Sequence, residues 1–168
     1  MMRLIALRHG QSGYNLLGLC NDDPTIPVDL TALGQAQARK AAAALADESI
    51  EVIYSSPLPR AQQTADLVSA VIGLPVTKDP RLADIHSGFE GRPVSDYLAA
   101  IVHDVVDARA GGESLRDYAD RVGGFLDELG GQTLQGGLVV AHEETLRVIE
   151  AYCEGLPLTE VAGRSFDN

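Results

Sequence analysis

The 168-residue chain contains no tryptophan, only two cysteines and few aromatic residues of any kind. Cys20 and Cys153 lie far apart along the chain and have no histidine at the spacing of a metal-binding motif. Isolated cysteines of this kind are typical of free thiols in a reducing compartment and not of a disulfide framework. We therefore expect a cytoplasmic protein whose core is built from leucine, valine, isoleucine and alanine.

Basic residues are also scarce: 13 lysines and arginines stand against 24 aspartates and glutamates, which gives a net charge of −11. No basic stripe is present, so the composition disfavours a nucleic-acid partner and an anionic membrane surface. No apolar run approaches the length of a membrane span, and no signal peptide can be read at the N-terminus. A small anionic substrate is compatible with the charge, because a few arginines can cluster locally. The sequence does not indicate an oligomeric state.

What the chain does contain is a regular alternation of strand-like and helical segments. Strand-like runs cover 3–8, 52–55, 74–77 and 138–141, and helical patterns cover about 31–47, 61–72, 94–108, 114–129 and 143–154. This alternation predicts an α/β fold, a three-layer sandwich with a mainly parallel central sheet and helices on both faces. The length suggests a single domain over residues 1–168.

Two details of the first half follow from local patterns. Residues 10–30 are rich in glycine, proline, asparagine and aspartate and are expected to form a long loop, which in a compact domain is often functional. Thr31 is expected to cap the helix that follows. The residues of that helix expected to face the core are Leu33, Ala41, Ala44 and Leu45.

Charged and polar side chains follow three of the predicted strands. Arg8 and His9 end the first strand, Arg60 lies in the segment after the second, and His142 ends the last. Burying an arginine and a histidine at the end of a strand costs free energy unless a ligand or another group binds them. Because ligands bind beyond the carboxyl ends of parallel strands, these residues are expected to meet at one edge of the sheet.

The simplest user of such a cluster is a tetrahedral dianion. Two arginines and a histidinium can hold its oxygens, and a second, neutral histidine can attack phosphorus. This chemistry needs no metal and no other cofactor. Metal ligation by His9 and His142 is a rival interpretation, disfavoured because two arginines would repel a dication. The other alternative is that each histidine is only a buried structural side chain. The presence of two histidines at the ends of two predicted strands disfavours this alternative.

The chain resembles the histidine phosphatase superfamily, the phosphoglycerate mutase-like proteins, and in particular its small phosphatases. The resemblance covers nearly the whole chain through ordered blocks: Arg8-His9-Gly10 with Asn15, Leu30-Thr31-x-x-Gly34-x-x-Gln37-Ala38, Ser55-Ser56-Pro57-Leu58-x-Arg60-Ala61-x-Gln63-Thr64-Ala65, Gly112-Glu113-Ser114 and Val139-Val140-Ala141-His142. Any one block is weak evidence, whereas the set in this order is specific.

The resemblance implies a metal-independent phosphomonoester hydrolase, a histidine acid-type phosphatase that acts on a small phosphorylated metabolite. His9 would be the nucleophile and carry the phosphohistidine. Arg8, Arg60 and His142 would bind the phosphoryl oxygens, and Asn15 would assist by orienting a phosphoryl oxygen or His9. A carboxyl group would protonate the leaving oxygen and then activate water.

The identity of that carboxyl group is open, because the chain departs from the family pattern here. The family usually has Leu-x-Glu, and the match is Leu82-Ala83-Asp84, one methylene shorter at the acid. Glu90 is the rival, and a solvated surface acid is the remaining alternative. A second departure is Glu143, where the family often has glycine. We expect Glu143 to be solvated, the alternative being that it raises the pKa of His142.

The segment of about 78–112 is expected to form a short cap over the site. Mutases of the family carry a longer insertion here, so a short cap favours hydrolysis over phosphoglycerate mutase-type transfer. A non-catalytic phospholigand-binding protein is the alternative outside enzymes. Residues that are candidates for the mouth of the pocket are Tyr14, Cys20, His86, Phe89 and Tyr97. Family members continue past a segment like 165–168 into a final strand, so the chain is expected either to lack that strand or to be truncated.

Overall fold

A computed structural model describes residues 2–162 of the chain. It contains a four-stranded sheet in the order β1-β4-β2-β3, and each neighbouring pair is parallel. The strands are β1 (Arg3–Arg8), β2 (Val52–Ser55), β3 (Val76–Lys78) and β4 (Gly136–Ala141). The α/β class and the parallel sheet predicted from the sequence are confirmed.

Seven α-helices lie within residues 2–162. They are α1 (Gly13–Leu17), α2 (Ala32–Leu45), α3 (Pro59–Ile72), α4 (Val94–Ile101), α5 (Leu115–Gly130), α6 (Glu143–Glu154) and α7 (Leu158–Val161). Thr31 caps α2 as expected, since its hydroxyl accepts a hydrogen bond from the Gly34 N–H at 3.0 Å. The prediction of an uninterrupted loop over 10–30 is wrong at α1, and the helix expected over 94–108 ends at Ile101.

Apolar clusters lie on both faces of the sheet, which gives the three layers. On one face Val139 and Ala141 of β4 pack in a cluster with residues of α5 and α6. On the other face Leu138 and Val140 pack in a cluster with residues of α2 and α3. Because successive residues of a strand point to opposite faces, a strand that is buried throughout must be apolar throughout. β4 meets that requirement at every position.

The buried face of α2 differs from the prediction. Gly34, Ala38 and Ala42 are buried, whereas Leu33 is 55% exposed. These three small residues are spaced four apart and form one stripe, which lets α2 approach the neighbouring backbone closely. Of the four residues predicted to face the core, Leu45 packs against the apolar cluster and Ala41 is half-buried, whereas the prediction is wrong for the exposed Leu33 and Ala44.

Residues 165–168, where the family resemblance predicts the approach to a final strand, lie outside the described residues. Within residues 2–162, no helix combines the length and the apolar composition needed to cross a bilayer.

Candidate active site

The carboxyl ends of β1, β4 and β2 lie side by side and carry the polar residues that follow them. The His9 N–H donates to the Ala141 carbonyl at 3.0 Å, and the Ser56 N–H donates to the Val140 carbonyl at 3.0 Å. A cavity of about 230 Å³ opens at this edge. Every residue predicted for the site lines it: Arg8, His9, Asn15, Arg60, Asp84 and His142.

Two glycines let the backbone place His9 at this edge. A side chain at Gly10 would put its Cβ 2.2 Å from the Gly34 carbonyl oxygen, and one at Gly34 would meet the Gln11 carbonyl oxygen at 2.0 Å. Only glycine permits backbones to approach this closely. The start of α2 therefore packs directly against the segment that carries His9, and two separate sequence blocks become one local structure.

His9 is oriented by hydrogen bonds at both ring nitrogens. Its Nδ1 lies 2.7 Å from the Gly10 carbonyl oxygen and so donates to it. The tautomer assigned from this contact leaves a lone pair on Nε2, which accepts from Arg60 Nε at 2.9 Å. His9 is 3% exposed. Burial, assisted by the charge of Arg60 and by His142, holds the pKa of His9 well below its usual range, so the ring is neutral at physiological pH.

Arg60 is the buried hub of the cluster, held in the first turn of α3. Its guanidinium donates to Asp84 Oδ2 at 2.8 Å and to the Asn21 carbonyl at 3.0 Å, and it also donates to the Asn21 side-chain oxygen. Its Nη2 lies 3.2 Å from His142 Nδ1. One planar fork of donors thus touches both histidines and the candidate acid.

His142 follows β4 and lies between the other site residues. Its Nε2 is 2.7 Å from Ser56 Oγ, and its ring centroid is 5.2 Å from that of His9. Burial and the charges of Arg60, Arg121 and Arg8 hold the pKa of His142 well below its usual range. The protein groups around His142 therefore favour the neutral ring, although Asp84 Oδ2 lies 3.4 Å from its Nδ1.

Glu143 behaves in neither of the two ways expected from the sequence. Its carboxylate pairs with Arg8 at 2.9 Å and with Arg147 at 2.8 Å. It is thus not a solvated surface acid, and the pKa of His142 is lowered, not raised. Arg8 pairs with Ala141 in the sheet, and Glu143 follows two residues later at the start of α6, which brings its carboxylate to Arg8.

The structure separates the two candidate proton donors. Asp84 lines the cavity, with Oδ2 on Arg60 and Oδ1 accepting from the Ile85 N–H at 2.9 Å. Glu90 accepts from Asn21 Nδ2 at 3.0 Å and from the N–H groups of Asp22 and Asp23 at 2.7 and 3.0 Å. Glu90 therefore holds the loop of Asn21–Asp23, which in turn supports Arg60 through Asn21. Glu90 does not line the cavity.

The Gly112-Glu113-Ser114 block supports the backbone that carries Asp84. Glu113 pairs with Arg121 at 2.6 Å. Arg121 donates in turn to the carbonyls of Arg81 at 2.8 Å and Ala83 at 3.1 Å. Paired charges and fixed carbonyls hold the segment immediately before Asp84, although neither partner lies in the cavity lining.

Three residues of the site were missed by sequence reasoning: Asn21, Ser56 and Glu144. Asn21 holds Arg60 and Ser56 holds His142, and neither carried a signal beyond its place in a polar loop or a family block. Glu144 lines the cavity, and burial raises its pKa to about 7. Asn15 Oδ1 accepts from the Ser12 N–H and hydroxyl, both at 2.9 Å, so it shapes the turn beside His9.

Of the residues expected at the mouth, the structure brings three to the cavity. Tyr14, Cys20 and Tyr97 line it. His86 lies outside the lining, 3.4 Å from Asp22, and Phe89 packs under Arg92.

Because His9 and His142 are buried, we expect the free energy of unfolding to decrease in acid. Their folded-state pKa values lie below the unfolded value of about 6.5, so below that pH the unfolded chain binds protons that the folded chain does not. As the pH is lowered below about 6.5, each histidine should reduce the free energy of unfolding by up to about 1.4 kcal/mol per pH unit. Above about pH 7 neither histidine should contribute to the pH dependence.

Urea unfolding between pH 5 and 8 measures this. His142→Asn should remove one histidine's share of the slope, whereas His103→Asn, at an exposed position, should leave the slope unchanged. Equal slopes for the two variants would contradict the assignment.

Known proteins match the chain over nearly its whole length. The family model described as histidine phosphatase superfamily (branch 1) matches residues 4–168. Phosphoserine phosphatase 1 of Hydrogenobacter thermophilus is 32% identical over 181 residues, covering 100% of this chain and 83% of that protein. A 2,3-bisphosphoglycerate-dependent phosphoglycerate mutase of Azorhizobium caulinodans is 36% identical over 172 residues, covering 91% and 82%. The crystal structure of the α-ribazole phosphatase of Shigella flexneri superposes with a TM-score of 0.87 at 32% identity, covering 99% and 86%.

Proposed function

The chain belongs to branch 1 of the histidine phosphatase superfamily, and from this we propose a phosphomonoester hydrolase that acts on a small phosphorylated metabolite through a phosphohistidine. The observation that carries the proposal is a neutral, buried His9 whose Nε2 lone pair lies among Arg60, Arg8 and His142. Phosphoric monoester hydrolase is the reaction class that fits the family, whereas the name histidine acid-type belongs to a different family.

In the proposed first step, His9 Nε2 attacks phosphorus in line with the bond to the leaving oxygen. The N–P bond forms as the P–O bond breaks, and the protonated carboxyl of Asp84 gives its proton to the departing alkoxide. Arg60 Nε, which bonds His9 Nε2, exchanges that acceptor for a phosphoryl oxygen, and this exchange frees the lone pair. Arg8 binds a second oxygen, with Asn15 assisting at the same wall.

In the proposed second step, water attacks the phosphohistidine. The Asp84 carboxylate removes a proton from the water, the N–P bond breaks, and inorganic phosphate leaves with His9 restored. One carboxyl group serves both steps, and its position beside Arg60 and His142 supports that role for Asp84.

In this scheme His142 becomes protonated when the substrate binds. A phosphoryl dianion beside the ring offsets the burial and the arginine charges that keep His142 neutral, because an opposite charge within a few ångströms raises a histidine pKa. Binding of the dianion is thus coupled to uptake of a proton. The histidinium then shares the negative charge that the transition state spreads over the phosphoryl oxygens.

Transfer of the mutase type is the second candidate, favoured by the mutase relative described above. Against it, we propose that the segment 78–112 is a short cap on a single domain, contributing Val94 and Tyr97 of α4 to the cavity. A short cap leaves water free to reach the phosphohistidine. The proposed location is the cytoplasm, where the free thiols of Cys20 and Cys153 would stay reduced.

The test is hydrolysis of p-nitrophenyl phosphate in the presence of EDTA. We expect phosphate release at an unchanged rate with and without the chelator, because the proposed steps use only side chains of this chain. Loss of activity on chelation would contradict the metal-free mechanism.

A panel of phosphate esters assayed for both free phosphate and isomerised ester separates the alternatives. Movement of the phosphoryl group within a sugar acid would favour the mutase. Tight phosphate binding without turnover on any ester would favour a non-catalytic binding protein.

A further inference from the structure

The cations that line the cavity are confined to its phosphoryl end. Among the described residues the lining contains two arginines, Arg8 and Arg60, and no lysine. Arg60 bonds both histidines, and Arg8 precedes His9 at the end of β1. In the proposed reaction both arginines are committed to phosphoryl oxygens. No third cation of this lining is left to meet the alcohol part of a substrate.

The acidic side chains of the same cavity outnumber those cations. They are Asp22, Asp84, Glu143 and Glu144. Asp22 accepts from the Ser87 N–H at 2.7 Å and from its hydroxyl at 2.9 Å, and Asp84 holds Arg60. Glu143 and Glu144 open α6 and both bond Arg147, which is not in the lining. Glu143 also pairs with Arg8 of the lining at 2.9 Å, whereas the cation that Glu144 pairs with, Arg147, lies outside the lining.

The rest of the lining carries no charge. Its polar members are Ser12, Asn15, Asn21 and Ser87, and its apolar or aromatic members are Tyr14, Leu19, Cys20, Ile85, Val94 and Tyr97. Burial, together with the nearby Glu144 and Asp84, raises the pKa of Tyr97 to about 12. The phenol thus stays uncharged and offers no more than a hydroxyl or a ring face. An aromatic face accepts a cation and disfavours an anion.

We propose that the substrate is a phosphomonoester whose alcohol part carries an ammonium group and no carboxylate, with Glu144 as the residue that selects it and Glu143 in support. The inference rests on the proposed function, because it assigns the phosphoryl end to Arg8 and Arg60. A carboxylate on the alcohol would lie in a low-dielectric cavity beside Glu144, where the described lining has no cation beyond Arg8 and Arg60 to pair with it. An ammonium group in that place pairs with the Glu144 carboxylate.

Three two-carbon esters of matched size test the inference: ethanolamine phosphate, 2-hydroxyethyl phosphate and phosphoglycolate, which carry an ammonium, a hydroxyl and a carboxylate. The assay is run at pH 8, above the pKa of about 7 that burial gives Glu144, so that its carboxylate is charged. We expect kcat/KM to fall in that order, by about tenfold or more between the first and the last.

Glu144→Gln should bring the three values together, mainly by raising KM for ethanolamine phosphate and lowering it for phosphoglycolate. Glu154→Gln, at the exposed far end of α6, is the matched control and should leave the order unchanged. Because the neutral ester is an internal reference, a folding defect lowers all three values in parallel and leaves their ratios intact. A Glu143→Gln variant should reduce the preference by a smaller factor.

The outcomes separate the two claims. No hydrolysis of the three esters or of p-nitrophenyl phosphate would remove the proposed function and the inference with it. Hydrolysis in which phosphoglycolate equals or exceeds ethanolamine phosphate would overturn the inference and leave the function standing. Ratios unaffected by Glu144→Gln would overturn the role of that residue.

Discussion

Replacing His9 with alanine should abolish turnover, with kcat lower by on the order of 10⁵-fold, because the phosphohistidine can no longer form. Burial keeps the His9 ring neutral, and its Nε2 lies in the cavity, where it accepts a hydrogen bond from Arg60 Nε. No other described residue of the cavity combines a lone pair with that position. The measurement is single-turnover quenching with a labelled phosphomonoester, which should trap an acid-labile, base-stable phosphoryl-enzyme in the natural protein and none in the variant.

The control for this experiment is His86→Asn. His86 lies next to the cavity on an exposed loop and pairs with Asp22, so its loss should leave labelling and kcat nearly unchanged. Undiminished acid-labile label in His9→Ala would place the nucleophile elsewhere. Loss of label in His86→Asn as well would contradict the assignment, because His86 lies outside the cavity lining.

Replacing Arg60 with methionine should lower kcat by about 10³-fold, because the group that bridges both histidines and the phosphoryl oxygens is removed. The substitution also leaves Asp84 and the Asn21 carbonyl without their partner. Arg60→Lys should recover little of the activity, since an ammonium cannot reproduce a planar fork of donors. Steady-state kinetics on p-nitrophenyl phosphate and on an alkyl phosphate measure both effects.

Arg39→Met, on the exposed side of α2, is the matched control and should be close to the natural protein in rate. Thermal unfolding of each variant distinguishes a chemical loss from a folding loss, because a buried guanidinium also contributes to stability. An Arg60→Lys variant with full kcat would show that charge alone is enough and would contradict the role given to the fork.

Much of the candidate site could be predicted because it lies at strand ends. Arg8, His9 and His142 each end an apolar run, and parallel strands deliver such residues to one edge whatever the details of packing. Arg60 could be placed by the same rule, being a few residues past β2. The order of the strands, with β4 between β1 and β2, was not readable, and it is this order that places His142 between His9 and Ser56.

The acidic residues were the least predictable part. Asp84 and Glu90 are close in sequence and equally polar, yet one lines the cavity and the other holds the loop of Asn21. A carboxylate's role depends on which N–H groups and guanidinium groups surround it, and those come from distant segments. Glu143 was misjudged for the same reason, since its partner Arg8 lies far away in the chain.

The sequence by itself determined the alternation of strands and helices, the class of the fold and the collection of arginine and histidine at one sheet edge, because periodicity and strand ends are local properties. Only the tertiary structure decided which face of α2 is buried, which ring nitrogen of His9 is left with its lone pair, and that burial lowers the pKa of both histidines. The physical reason is that burial, hydrogen-bond partners and neighbouring charges are set by residues remote in the chain. The excess of acidic over basic residues in the composition is repeated in the cavity, whose described lining has two arginines, both assigned to the phosphoryl end, and four carboxylates.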